Sequence, residues 1–229
     1  MTPIKLVAFD LDGTLVDSAL DIARAVDKAL LELGERTYGV DHIKGWVGEG
    51  LTKLLKRALT GDVDGNPDPA LVTKAREMFR EHYLAGLCVD TRFYPGVREA
   101  LDALEGGHRL ACITNKSMVY TEPLLKTLGV WERFEIVVAG DTVPALKPDP
   151  RPLLYASDKI GVPPAACCMV GDSRYDILAA RAAGFRAVAV SYGYNQGADL
   201  RTLGAETELD SLAELPGWIA GLAPAAATR

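Results

Sequence analysis

The chain has 229 residues, 48% apolar and 24% charged, and its 25 Lys and Arg against 31 Asp and Glu leave a net charge of −6. That balance fits one large or two small globular domains with apolar matter enough for a core, and 22 Gly with 13 Pro exclude a collagen-like or disordered chain. An acidic balance also excludes a broad nucleic-acid-binding face, which needs clustered Lys and Arg, but leaves room for a small anionic substrate held by a few local cations.

Taken in chain order, Ile4–Leu11 is a short apolar run that ends in the acids Asp10 and Asp12. Ser18 followed by Asp21 has the spacing of a capping box, and Ile22, Val26, Ala29, Leu30 and Leu33 continue at helical spacing up to Gly34. Leu51, Leu54, Leu55, Ala58 and Leu59 predict a second helix, and Leu71, Ala75, Met78, Phe79 and Tyr83 a third. The segment Gly61–Pro69 is turn-rich. Further apolar runs follow at Leu110–Thr114, Ile136–Ala139, Cys167–Val170 and Ala187–Ser191. Five buried strands separated by helical stretches predict an α/β fold with a doubly wound parallel sheet. The stretch between the first and second strands is far longer than one crossover needs, so it predicts an inserted all-helical domain. The expected organisation is a core from residues 1–16 and 90–229, with a helical cap from residues 17–89. Hinges fall near Thr14–Ser18 and Leu87–Pro95, and the Ala-rich tail Ala223–Arg229 is expected to fray.

No apolar run approaches the roughly 20 residues that span a bilayer, and the N-terminal segment lacks the pattern of a signal peptide. Cys88, Cys112, Cys167 and Cys168 contain no C-x-x-C pair and read as reduced core residues. The expectation is a cytoplasmic protein without membrane or nucleic-acid partners, as a monomer or homodimer.

Open α/β sheets bind ligands beyond the carboxyl ends of their strands. There this chain carries Asp10, Asp12, Gly13 and Thr14; then Thr114, Asn115 and Lys116; then Lys147 after the third strand; then Asp172 to Asp176. Converging carboxylates repel unless a cation joins them, and an oxygen-only set suits a hard divalent ion such as Mg²⁺. Asp10 and Asp12, two apart on one strand, point to one side, as a nucleophile and a general acid/base require. Lys147 offers charge to offset an attacking carboxylate and a phosphoryl group, and Thr114 and Asn115 offer hydrogen bonds to phosphoryl oxygens. Asn115 also reads as an orienter of backbone, and Lys116 as a solvated neighbour. Ser173 and Asp176 have capping-box spacing, so Asp176 reads either as a helix cap or as a support beneath a metal site. Gly48, Glu49 and Gly50 open the second helix, where free backbone N–H groups suit a substrate anion with Lys53 or Arg57 nearby. Tyr192 and Tyr194 read as packing residues.

DLDGTLVDS, TN, KPDP and GDSRYD, in that order and spacing, resemble the four motifs of the haloacid dehalogenase-like phosphatase superfamily. Within it the chain is most similar to the bacterial phosphoglycolate phosphatases, on the strings AFDLDGTLVDS, WVGEG, TNK, KPDPRPLL, GDSRYDI and SYGYN. The resemblance implies Mg²⁺-dependent hydrolysis of 2-phosphoglycolate through an aspartyl-phosphate. It assigns Asp10 as nucleophile and metal ligand, Asp12 as acid/base with its backbone carbonyl on the metal, and Asp172 as a further metal ligand. Thr114, Asn115 and Lys147 would hold the phosphoryl group. Tyr175 departs from the Asn often found at its position, and is taken as peripheral. Alternatives are a β-phosphoglucomutase-like mutase, a sugar-phosphate phosphatase, a pyrophosphatase, or a catalytically inert binding protein of the same fold.

Overall fold

The computed structural model describes residues 2–195 and 197–222, so the Ala223–Arg229 tail lies outside the described residues. Its elements are β1 (Leu6–Phe9), β2 (Val16–Asp17), α1 (Ala19–Glu32), α2 (Gly39–Lys44), α3 (Leu51–Thr60), α4 (Pro69–Ala85), β3 (Arg92–Phe93), α5 (Val97–Leu104), β4 (Arg109–Ile113), α6 (Met118–Thr127), β5 (Ile136–Val138), α7 (Arg151–Ile160), β6 (Cys167–Gly171), α8 (Arg174–Ala183), β7 (Arg186–Val190), β8 (Thr207–Leu209) and α9 (Leu215–Gly221).

Six strands form one parallel sheet in the order β5-β4-β1-β6-β7-β8. Alternate residues of each strand serve opposite faces. Val7, Phe9, Cys112, Val170 and Val188 pack with Leu101 of α5, Leu124 of α6 and Ile219 of α9. Leu6, Ala8, Ala111, Met169 and Ala187 pack with Leu153 of α7 and Ile177 of α8. Burial on both faces explains why these strands read as unbroken apolar runs. The sixth strand, Thr-Glu-Leu at the sheet edge, was not among the five expected. It is three residues long and carries Glu208, so it lacks the apolar signal of a buried strand. Its register, Ala189 opposite Glu208, is set by β7.

Between β2 and β3 lie four helices rather than the three the periodicity predicts. The extra one, α2, spans only six residues, too few for a stripe to register. The four enclose an apolar cluster of their own, with Val26, Leu30, Ile43, Leu55, Phe79 and Tyr83, which Tyr120 of α6 joins. At the base of these helices, β2 and β3 form an antiparallel ribbon, Val16 opposite Phe93 and Asp17 opposite Arg92.

The expected capping box at Ser18 and Asp21 does not form. The Ser18 hydroxyl donates to Asp12 Oδ1 at 2.5 Å. Asp21, buried, instead accepts from the amides of Asp90 and Thr91 and from the Thr91 hydroxyl at 2.7 to 3.1 Å. The carboxylate thus pins the returning chain to α1. Tyr194 adds a second pin: its hydroxyl accepts from Ser18 N and Ala19 N and donates to Asp17 Oδ1. Of the four cysteines, Cys112, Cys167 and Cys168 are buried as expected, whereas Cys88 is only half-buried in the segment entering β3; all four are unpaired. No helix among the described residues is long and apolar enough to cross a membrane.

Candidate active site

The carboxyl ends of β1, β4 and β6 meet at one point because those strands are neighbours in the sheet. Asp10 follows β1, Thr114 follows β4 and Asp172 follows β6, so adjacency in the sheet converts positions distant in sequence into one cluster. Asp10, Asp172 and Asp176 each place a carboxylate oxygen within 4.8 Å of the others. Into this cluster Lys147 brings its ammonium, 2.9 Å from Asp10 Oδ1 and 2.6 Å from Asp176 Oδ1, while donating to Ile113 O at 2.7 Å.

Three buried carboxylates around one ammonium leave net negative charge. Burial pushes the Asp10 carboxyl up to about 7, against the opposing pull of Lys147 and with further push from Asp176. Burial, with the charges of Asp176 and Asp10, raises Asp172 well above the ordinary carboxylate range. Lys147 loses solvation too, but its two carboxylates more than offset this and raise its pKa. Asp10 Oδ1 is buried yet accepts no well-aligned hydrogen bond among the described residues. An oxygen-only set with more negative charge than its one ammonium offsets fits a hard divalent cation.

Asp176 caps α8, as one of its two readings expects, and also lies in the acidic cluster. One oxygen accepts from Ser173 N and Ser173 Oγ at the start of α8, and the other faces Lys147 within the acidic cluster. Asp172 is oriented by Thr14 Oγ1 at 2.9 Å and by the amide of Tyr194 at 2.6 Å. Close packing here demands glycine: a Cβ on Gly13, at φ +91°, would stand 2.2 Å from Asp172 Oδ2, and one on Gly171 2.2 Å from Asp176 Cγ.

The Asp12 carboxylate is not part of the acidic cluster. It receives Lys116 Nζ on both oxygens, at 2.9 and 3.1 Å, as well as Ser18 Oγ. Lys116 is therefore not the solvated neighbour the sequence suggests. Its side chain is 8% exposed and its ammonium lies 4.8 Å from the Tyr83 ring centroid. Nothing in the string TNK separates an inward lysine from a surface one.

Asn115 lies at the expected place, but its carboxamide is engaged with backbone. Its Nδ2 donates to Gly48 O and Lys147 O, and its Oδ1 accepts from Lys147 N. Of its two readings the orienting one describes the side chain, which aligns Lys147 and ties the Gly48 loop to the sheet.

Gly48 and Gly50 reach the site while Glu49 turns away. Asp10, Asp12, Thr114 and Lys116 form the polar floor of a chamber of about 60 Å³, and Gly48, Gly50, Leu51, Leu54, Phe79 and Tyr83 roof it. Glu49 pairs with Arg57 and accepts a hydrogen bond from Tyr175. Partial burial pushes Glu49 up, but Tyr175 and Arg57 outweigh it and hold the carboxyl below its ordinary value. Arg57 also donates to Trp46 O and Val63 O, so it is a scaffold residue rather than an anion receptor. Tyr175 is not peripheral: it bridges α8 to this loop, and a Cβ on Gly48 would sit 3.4 Å from its ring. Tyr192 donates to Thr14 O and Tyr194 pins the start of α1, so both brace the site from outside the chamber.

A family model described as haloacid dehalogenase-like hydrolase matches residues 4–184. The chain belongs to the haloacid dehalogenase-like hydrolases. It is 48% identical over 213 residues to a phosphoglycolate phosphatase of Nitrosospira multiformis, covering 93% of this chain and 94% of that one. Among solved structures it resembles a protein of Haemophilus somnus 129pt described as a predicted phosphoglycolate phosphatase. The TM-score is 0.87 at 31% identity, over 95% of this chain and 99% of the other. It also resembles CbbY from Rhodobacter sphaeroides in complex with phosphate, with a TM-score of 0.80 at 27% identity over 93% and 96% of the two chains. Phosphatases of the haloacid dehalogenase-like family generally use a divalent metal ion, and Asp10, Asp172 and Asp176 are the acidic set available to one here.

Proposed function

We propose that this haloacid dehalogenase-like hydrolase is a Mg²⁺-dependent phosphatase that cleaves 2-phosphoglycolate to glycolate and phosphate. The observation that carries the reading is the 48% identity to a phosphoglycolate phosphatase along 93% of the chain.

Asp10 attacks phosphorus through a carboxylate oxygen, and the bond from phosphorus to the glycolate oxygen breaks. Asp12, protonated, gives that oxygen its proton. Asp12 then takes a proton from water as the water attacks the aspartyl-phosphate, releasing phosphate and restoring both acids. Thr114 donates to a phosphoryl oxygen, and Lys147 neutralises Asp10 and the phosphoryl charge. Asn115 holds the Lys147 backbone in place. Asp10, Asp172 and Asp176 would hold Mg²⁺, with the Asp12 carbonyl as a further ligand. The ion supplies charge neutralisation between carboxylate and phosphate. Residues 17–89 act as a cap over the core made by residues 1–16 and 90–229; closing it excludes bulk water. The Gly48–Gly50 loop forms part of the cap wall that selects the substrate. The enzyme works in the cytoplasm, as a monomer or homodimer.

The test is phosphate release from a panel of phosphorylated metabolites, with Mg²⁺ and with chelator, beside Asp10→Asn. Preference for 2-phosphoglycolate, lost with chelator and in the variant, supports the reading. Metal-dependent turnover of β-glucose-1-phosphate or pyrophosphate instead would keep the chemistry and overturn the substrate. No turnover of anything would leave an inert binding protein.

A further inference from the structure

Among the described residues lining the chamber, Lys116 is the only cation. Of the basic groups beside it, Lys147 is committed to Asp10, Asp176 and Ile113 O, and Arg57 to Glu49, Trp46 O and Val63 O, while Arg76 and Arg80 line the adjoining outer cleft rather than the chamber. The cap contributes mostly apolar surface from Ile22, Val47, Leu51, Leu54 and Phe79. A substrate whose second end is charged therefore has few places to put it.

One polar atom interrupts that wall. The Tyr83 hydroxyl is buried and makes no well-aligned hydrogen bond among the described residues. Burial raises its pKa to about 12, so at neutral pH it remains a donor. A buried donor without an acceptor costs about as much as a lost hydrogen bond, and such groups mark places where a ligand completes the pairing. Lys116 uses its ammonium on the two Asp12 oxygens and stacks over the Tyr83 ring. Its remaining N–H is directed toward the Tyr83 oxygen, which leaves the Tyr83 O–H as the donor without an acceptor, and a carboxylate accepting from it meets the Lys116 charge directly. Lys116 comes from the loop after β4 and Tyr83 from α4, so the two donors face each other across the boundary between the core and the helices.

We infer that Lys116 and Tyr83 together receive the carboxylate of the substrate and are the residues that make the enzyme prefer a phosphorylated acid over an uncharged phosphate ester. The inference rests on the phosphatase reading above. It moves recognition of the carboxylate from the Gly48–Gly50 loop, which closes the wall, to a pair that supplies both charge and direction. Because the pair straddles the boundary, a bound carboxylate also ties α4 to the core while Asp10 engages the phosphoryl end.

The experiment uses three substrates of one length: 2-phosphoglycolate, ethyl phosphate and 2-aminoethyl phosphate, which end in a carboxylate, a methyl and an ammonium. Wild type should rank them in that order by kcat/KM. Loss of Lys116 also bares the Asp12 charge, so Tyr83→Phe, which leaves the Lys116–Asp12 contact in place, is the variant whose ratio between substrates isolates recognition. Lys116→Met should reduce the ratio of 2-phosphoglycolate to ethyl phosphate by about 10- to 100-fold, the worth of one hydrogen bond to a charged group, and Lys116→Arg should keep part of it. Tyr83→Phe, which preserves shape, should reduce it by about 3- to 10-fold, mainly through KM. Calorimetric binding of 2-phosphoglycolate to Asp10→Asn, with and without Lys116→Met, should weaken by a similar factor. A wild type that prefers 2-phosphoglycolate, with the preference intact in both Lys116→Met and Tyr83→Phe, would overturn the inference and leave the function standing. A wild type indifferent to the carboxylate would overturn both.

Discussion

Replacing Asp10 by Asn tests the electrostatic account of the site independently of catalysis. In the metal-free chain, burial lifts the Asp10 carboxyl from 3.8 to about 7. In the unfolded chain it has its ordinary value near 3.9. Between those values the folded chain binds the proton more tightly. The associated stability is therefore complete below the unfolded value and is lost as pH rises through the folded one. From pH 5 to pH 7 the loss is about 2 kcal/mol, at 1.36 kcal/mol for each pH unit and one proton, falling off as pH nears the folded value. For a chain of this size that corresponds to roughly 4–8 °C in Tm. Asp172, raised by burial and by its two acidic neighbours, adds a loss of the same sign. Asn has no proton to retain, so the variant should show a flatter profile, shallower by about one proton, and should be the more stable protein at pH 8 in chelator. Thermal or urea unfolding of both proteins from pH 5 to pH 8 measures this directly. Adding Mg²⁺ at pH 8 should stabilise wild type more than the variant, which has lost one acidic ligand. A wild-type profile in chelator that is flat or rises from pH 5 to pH 8, or a variant with the wild-type slope, would refute the reasoning.

Four further outcomes are expected. Gly171→Ala puts a methyl 2.2 Å from Asp176 Cγ, so Mg²⁺ affinity measured by titration should fall about 10- to 100-fold, together with Tm. Asp12→Asn should lower kcat on 2-phosphoglycolate by about 10²- to 10⁴-fold, while a burst of phosphoenzyme from an activated aryl phosphate survives, because that leaving group needs no proton. Asp21→Asn weakens the pin on Asp90 and Thr91 and should cost about 1–3 kcal/mol, with faster hydrogen exchange at those two amides than elsewhere in the sheet. Gly50→Val, at φ +80° and facing Leu146 at 3.2 Å, should raise KM for 2-phosphoglycolate more than it lowers turnover of an aryl phosphate; equal losses would remove the loop from substrate selection.

Much of this protein was determined by the sequence alone. Buried parallel strands announce themselves as unbroken apolar runs, and Leu6–Phe9, Leu110–Ile113 and Cys167–Gly171 are such runs. In a parallel sheet the residue after each strand points to one edge. The positions of Asp10, Thr114 and Asp172 at a common site therefore follow from local pattern and the rules of the fold. Tertiary structure decided what those patterns cannot encode, namely which partner each polar group takes. Ser18 and Asp21 have the spacing of a cap, yet Asp12 and the returning chain offer stronger acceptors and donors than the helix end does. Arg57 and Lys116 look alike as cations beside a motif. One is consumed by Glu49 and two carbonyls, and the other is turned onto Asp12 beneath Tyr83. Periodicity reports which face of an element is buried. The pairing of charges depends on contacts between residues far apart in the chain, such as Asp12 with Lys116 and Tyr83, and these exist only once the helices have been laid over the sheet.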